Sequence, residues 1–213
     1  MRKDLTDITV VLDRSGSMFS CQSDAEGGLN QFIKEQKALP GGALFSLVQF
    51  DHEYEIVHDG VPIDLVPHIP LHPRGSTALY DAVGKAIGVT GERLAKMNEA
   101  DRPGLVVFVI LTDGENNASK EVTMADAKKL IARQETEWQW QFVFLGANPD
   151  AFQEGVGMGV RALANYTPAT SKQAYGAASA SVGRMRGATL RAEPVKNEFT
   201  EEEKKAMSGE STS

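Results

Sequence analysis

Two patterns of apolar residues alternate along the chain. "ITVVLD" (8–13), "LVVFVILTD" (105–113) and "WQFVFLGAN" (140–148) are nearly unbroken apolar runs. Such runs predict strands covered on both faces, as in a parallel sheet packed between helices. Between them the apolar positions recur with helical period. Leu79, Ala82, Val83, Ala86, Ile87 and Leu94 form one stripe, and Leu29, Phe32 and Ile33 a shorter one. Ala127, Leu130 and Ile131 form a third, opened by Thr123 with Asp126 three residues on, much like a capping box. A last helix is predicted from Ser171 to Arg186, with Ala174, Ala178, Val182 and Met185 inward.

"ALFSLVQFD" (43–51) and "EYEIVHDG" (53–60) read as two further strands. Their connection is too short for a crossover, so they predict a hairpin and one antiparallel edge strand. "RALANYT" (161–167) supplies a short final edge strand. Strands and helices alternating in this way predict a three-layer α/β domain of the doubly wound type.

The 213 residues suit one domain with a tail. After Gly187 the apolar content falls, which sets residues 1–187 as the domain and 188–213 as a C-terminal tail. That tail is expected to be mobile or to hold a short helix, capped by Thr200 with Glu203 and anchored by Phe199. A formal charge of −7 and a pI near 5.2 argue against a nucleic-acid role, because phosphate binding needs a basic field. The basic residues between Arg161 and Arg191 sit singly along a helical pattern and read as a solvated face.

Cys21 is the only cysteine, so neither an intrachain disulfide nor a cysteine-based zinc site is available. No stretch approaches the ~18 apolar residues of a membrane span, and the charged start "MRKDLTDITV" is unlike a secretory signal. The expected location is the reducing cytoplasm, where the glycosylation patterns at Asn117 and Asn165 are chance matches.

Two of the three long runs end in an aspartate, Asp13 and Asp113. In open α/β sheets ligands collect at the carboxyl ends of strands. After Asp13, Ser15 and Ser17 follow at alternate positions, and "PRGSTALYDAVG" places Thr77 in a loop just before the best-defined helix. Asp13, Ser15, Ser17, Thr77 and Asp113 can therefore share one rim. All their donors are hard oxygens, a set that selects Mg²⁺, Mn²⁺ or Ca²⁺ over zinc or copper. Ordinary strand-end and helix capping would explain any one of the five alone.

"DRSGS", the threonine of "GSTALYDAV" and the aspartate of "LTDGE" resemble the metal-ion-dependent adhesion site (MIDAS) of von Willebrand factor type A (vWA) domains. The resemblance spans about Leu5 to Arg186, and it implies a member of the intracellular bacterial and phage type, in which the bare domain has a similar size. It implies a Rossmann-like fold: a mostly parallel central sheet with one antiparallel edge strand and helices on both faces. It also implies that Ser15, Ser17 and Thr77 bind a divalent ion directly while Asp13 and Asp113 act mostly through water. A partner protein's Asp or Glu would complete the shell, and such a partner could be an AAA-type ATPase or another assembly component.

Other residues are weighed against that set. Asp81, one turn into the helix after Thr77, is expected to orient the loop by hydrogen bonding. Alternation turns Arg14 away from Asp13 and Ser15, toward solvent or a partner. His68 and His72 are four apart, but Pro67, Pro70 and Pro73 exclude a helix there. "GVGMGV" (155–160) lacks the strand that a dinucleotide loop requires, so Gly155 or Gly157 is expected to stop a helix. The sequence thus points to a non-enzymatic, metal-dependent protein-binding module, with specificity from rim loops at Phe19, Asp51–His58 and His68–Arg74. The alternatives are a metal-dependent hydrolase at the same rim and a scaffold stiffened by its metal.

Overall fold

The computed structural model describes residues 1–209. Six strands form one sheet: β1 (Arg2–Asp13), β2 (Gly42–Phe50), β3 (Tyr54–Pro62), β4 (Pro103–Thr112), β5 (Gln141–Gly146) and β6 (Ala162–Asn165), in the order β3-β2-β1-β4-β5-β6. All neighbouring pairs are parallel except β2 and β3, the expected hairpin.

Six α-helices cover the sheet: α1 (Gln22–Lys37), α2 (Leu79–Ala95), α3 (Met124–Trp138), α4 (Pro149–Gly157), α5 (Ser171–Leu190) and α6 (Glu201–Ser208). Because strand side chains alternate between faces, Val10 and Leu12 enter one core and Val11 the other. The first core gathers Leu29 and Phe32 of α1, Ala178 and Val182 of α5, and Met207 of α6. The second gathers Val83 and Ile87 of α2, Ile131 of α3, and Phe108 stacked on Trp140. This is the predicted three-layer arrangement with helices on both faces.

Several local expectations hold in detail. Thr123 and Asp126 close a capping box on α3, and Thr200 and Glu203 do the same on α6. The segment after residue 187 continues α5 by three residues and then carries α6, burying Phe199 and Met207 against the first core. Residues 210–213 of the tail lie outside the described residues.

Three expectations need correction. Neither Gly155 nor Gly157 stops a helix: α4 includes both, and the chain reverses at Gly159, whose φ of 76° suits a residue without Cβ. A Cβ on Gly155 would meet the Phe144 ring at 2.6 Å, so that glycine serves close packing of α4 on the sheet. Arg186 does not belong to a solvated basic face. It is buried and donates to the Gln36 and Gly41 carbonyls (2.7 and 3.0 Å), satisfying the open C-terminal end of α1. Arg14 is buried as well, for a reason given with the site.

Among the described residues, no helix is long and apolar enough to cross a membrane.

Candidate functional site

β1 and β4 are adjacent, but their onward connections leave in opposite directions, β1 toward β2 and β4 toward β5. This is a topological switch point, and a crevice opens there beyond the strand ends. Asp13 closes β1, and Asp113 follows the last residue of β4. A short 3₁₀ turn, Gly16–Ser20, carries Ser17 back across the rim.

The structure brings the predicted residues together. The Ser15 and Ser17 hydroxyl oxygens are 3.0 Å apart, and Ser17 donates to Asp113 Oδ1 at 2.7 Å. Asp13 accepts from the Ser15 amide and the Thr112 hydroxyl, both at 2.6 Å. A Cβ placed on Gly114 would lie 3.5 Å from Ser17 Oγ and 3.7 Å from Thr77 Oγ1, so both hydroxyls flank that glycine. The Gly16 amide donates to the Gly75 carbonyl at 3.0 Å, tying the serine loop to the threonine loop. Asp13, Ser15, Thr77 and Asp113 are buried, whereas Ser17 is exposed. The cluster therefore opens to solvent on the Ser17 side.

The electrostatics are unbalanced. Burial raises the Asp13 carboxyl to about 6, against hydrogen bonds from Thr112 and Ser15, and the charge of Asp113 adds to the rise. Burial also raises Asp113, with the Ser17 hydroxyl opposing it. Among the described residues, neither carboxylate has a Lys, Arg or His partner. Two desolvated acids and three hydroxyls without a compensating cation make a donor set that fits a hard divalent ion. Among the described residues, no three His, Cys, Asp or Glu side chains cluster in a metal-binding group. This candidate set has only two carboxylates and relies on hydroxyls for the rest.

The supporting residues were mostly not singled out from sequence. Asn117 accepts from the Thr77 amide at 2.9 Å, and its own amide donates to the Thr77 carbonyl at 2.9 Å. Buried Glu154 of α4 takes the Asn116 amide at 2.8 Å and the Tyr80 hydroxyl, anchoring the loop after Asp113. Asp81 orients a loop other than the Thr77 loop expected of it: it accepts from the amides of Lys120, Glu121 and Val122, ahead of α3, at 2.7–3.0 Å. Asn148, the N-cap of α4, donates to the Asp113 carbonyl. The Asn-Asn pair after "TDGE" was the only sequence trace of this clamp.

Arg14 corrects the alternation argument. Its guanidinium turns under the rim to fully buried Asp51 (2.9 Å) and also pairs with Glu55. Asp51 is accordingly not a surface element of its rim loop. Phe19 is 67% exposed beside the serine loop. His68 is exposed and bonded to Glu26 at 3.0 Å, and no hydrogen bond or ion pair joins it to His72.

Solved structures share this architecture. A von Willebrand factor type A protein from Catenulispora acidiphila matches with a TM-score of 0.57 at 16% identity, over 87% of this chain and 42% of its own. Proximal thread matrix protein 1 from the mussel byssus gives 0.58 at 16% identity, over 82% of this chain and 45% of its own. The vWF domain of the type V pili tip protein Mfa5 from Porphyromonas gingivalis gives 0.60 at 12% identity, over 83% of this chain and 94% of its own. The chain spans less than half of the first two proteins and nearly all of the Mfa5 domain. The fold is that of a vWA domain. No protein-family model matches the chain, and the search of curated proteins gave no match.

Proposed function

We propose that this rim is a MIDAS-type metal site and that the protein is a non-enzymatic module docking an acidic side chain of a partner protein. The observation that carries the reading is the pair of buried, unneutralised carboxylates, Asp13 and Asp113, set among the hydroxyls of Ser15, Ser17 and Thr77.

In this reading Ser15, Ser17 and Thr77 are direct ligands of a Mg²⁺-class ion. Both Asp13 oxygens already accept a hydrogen bond from the protein, which suits that side chain to hold metal-bound water. A bound ion supplies Lewis acidity, and because its direct ligands are neutral hydroxyls it keeps attraction for an outside carboxylate. Exposed Ser17 marks the side from which that carboxylate arrives, and exposed Phe19 offers it an apolar neighbour.

The test is capture of partners from the native cell with wild-type bait in Mg²⁺, in EDTA, and with Asp13→Ala bait in Mg²⁺. The account expects a partner retained only in the first case. A partner retained equally in all three would contradict metal-dependent docking. Competition by free acetate or glutamate would identify the contact as a carboxylate.

A further inference from the structure

Asp51 does not touch the five rim residues through its side chain, yet it lies where their loops meet. Its carboxylate is fully buried and accepts from Arg14 Nε and Arg74 Nε, each at 2.9 Å, and from the Glu53 amide at 2.7 Å. The backbone continues the same junction. The Ala78 amide donates to the Asp51 carbonyl at 2.9 Å, the Arg74 amide to the Arg14 carbonyl at 2.7 Å, and the Arg14 amide to the Phe50 carbonyl at 2.8 Å. Arg14 lies between Asp13 and Ser15, and Ala78 directly follows Thr77. Gly75, with a φ of 70°, passes so close to His52 that a Cβ would meet its ring at 2.3 Å.

We infer that Asp51 is a positioning residue of the rim, using Arg14 and Arg74 to hold the Ser15–Ser17 loop and the Thr77 loop at one separation. The inference rests on the metal-site reading for its functional meaning, but its mechanical content does not. Asp51 Oδ2 accepts one charge-assisted bond from each arginine, while Glu55 and Glu53 take the outer nitrogens of Arg14 and Arg74, so both guanidinium groups are tied through one buried oxygen. Burial opposes its ionisation, but the Glu53 amide, Arg14 and Arg74 together keep Asp51 below the usual carboxylate range, so it stays charged and grips both arginines. Residues that orient metal ligands in this way influence affinity without touching the ion.

The experiment uses the full chain with Asp51→Asn, Arg74→Gln and the double variant. Amide hydrogen exchange in EDTA is the metal-independent arm. Asp51→Asn is expected to speed exchange roughly tenfold at Gly16 and Arg74 while leaving Val107 and Val109 unchanged. Unchanged exchange at Gly16 and Arg74 would overturn the inference. Mn²⁺ titration is the second arm, with an expected loss of affinity of roughly 10- to 100-fold for Asp51→Asn and no further loss in the double variant. Additive losses, or full affinity in Asp51→Asn, would overturn it. If wild type binds no Mn²⁺, the metal reading fails, and the exchange arm alone decides whether Asp51 positions the loops. If Asp51→Asn does not fold, Arg74→Gln, at a half-exposed side chain, carries both arms.

Discussion

Thr77 and Asn117 hold each other through two reciprocal hydrogen bonds, the Thr77 amide to Asn117 Oδ1 and the Asn117 amide to the Thr77 carbonyl, both at 2.9 Å. The clamp joins the loop before α2 to the loop after β4, so two distant segments present one hydroxyl at the rim. Asn117→Ala leaves the buried Thr77 amide without its side-chain acceptor. The expected cost is about 1–2 kcal/mol in urea unfolding with EDTA present, together with weaker Mn²⁺ binding. Asn117→Asp keeps an acceptor and is expected to recover most of the stability. Equal stability of Asn117→Ala and wild type would contradict the clamp.

Asp81 gives a pH dependence of defined sign. Its burial opposes ionisation, but the amides of Lys120, Val122 and Glu121 outweigh that and hold the carboxyl below its ordinary 3.8. A depressed acid stabilises the fold above its unfolded pKa, and that contribution is lost as pH falls through the folded value. The stability gap between wild type and Asp81→Asn is therefore expected to be constant from about pH 8 to about pH 5 and to shrink below about pH 4. Chemical denaturation across that range checks it, and a gap that widened in acid would contradict the assignment.

Arg186 ties α5 to the end of α1 without an acidic partner among the described residues. Arg186→Met removes donors from the Gln36 and Gly41 carbonyls and from Gln36 Oε1. The expected loss is about 2–4 kcal/mol by urea denaturation, since these acceptors stay buried and the helix end loses its cation. Arg186→Lys is expected to recover only part, because an ammonium cannot span the same fork of carbonyls. Full recovery with lysine would show that charge alone matters there.

Neighbouring glycines of α1 are expected to respond in opposite directions. A Cβ on Gly28 would fall 2.5 Å from the Tyr175 ring, whereas one on Gly27 meets nothing within 4 Å. Gly28→Ala is expected to destabilise by about 1–3 kcal/mol through overpacking against α5. Gly27→Ala is expected to stabilise by about 0.5–1 kcal/mol through helix propensity. Thermal melts of the two variants decide the point, and matching shifts would contradict the close approach of Tyr175.

The architecture was legible because period carries it. Runs such as 105–113 and the stripe from Leu79 to Leu94 state their burial directly, and the three-residue link after Phe50 allows only a hairpin. The five candidate residues could be placed on one rim because each sits at a strand end or in a connection beside one. What the sequence hid was the partner choice of long polar side chains. Alternation turns Arg14 away from Asp13 and Ser15, but it cannot say that buried Asp51 receives it there instead of solvent. Asp51 itself ends an apolar run as Asp13 and Asp113 do, and that shared position was the available signal. Gly159 was missed because several glycines crowd the end of α4 and only backbone geometry separates a turn from close packing.

The central claim is that Asp13, Ser15, Ser17, Thr77 and Asp113 hold a divalent ion. Calorimetric titration of the full chain with Mn²⁺ and Mg²⁺, alongside Asp13→Ala and Ser17→Ala, tests it most directly. The account predicts saturable binding of about one ion per chain, reversed by EDTA, abolished in Asp13→Ala and weakened in Ser17→Ala. Absence of metal-dependent heat in wild type, or identical isotherms in all three proteins, would contradict it.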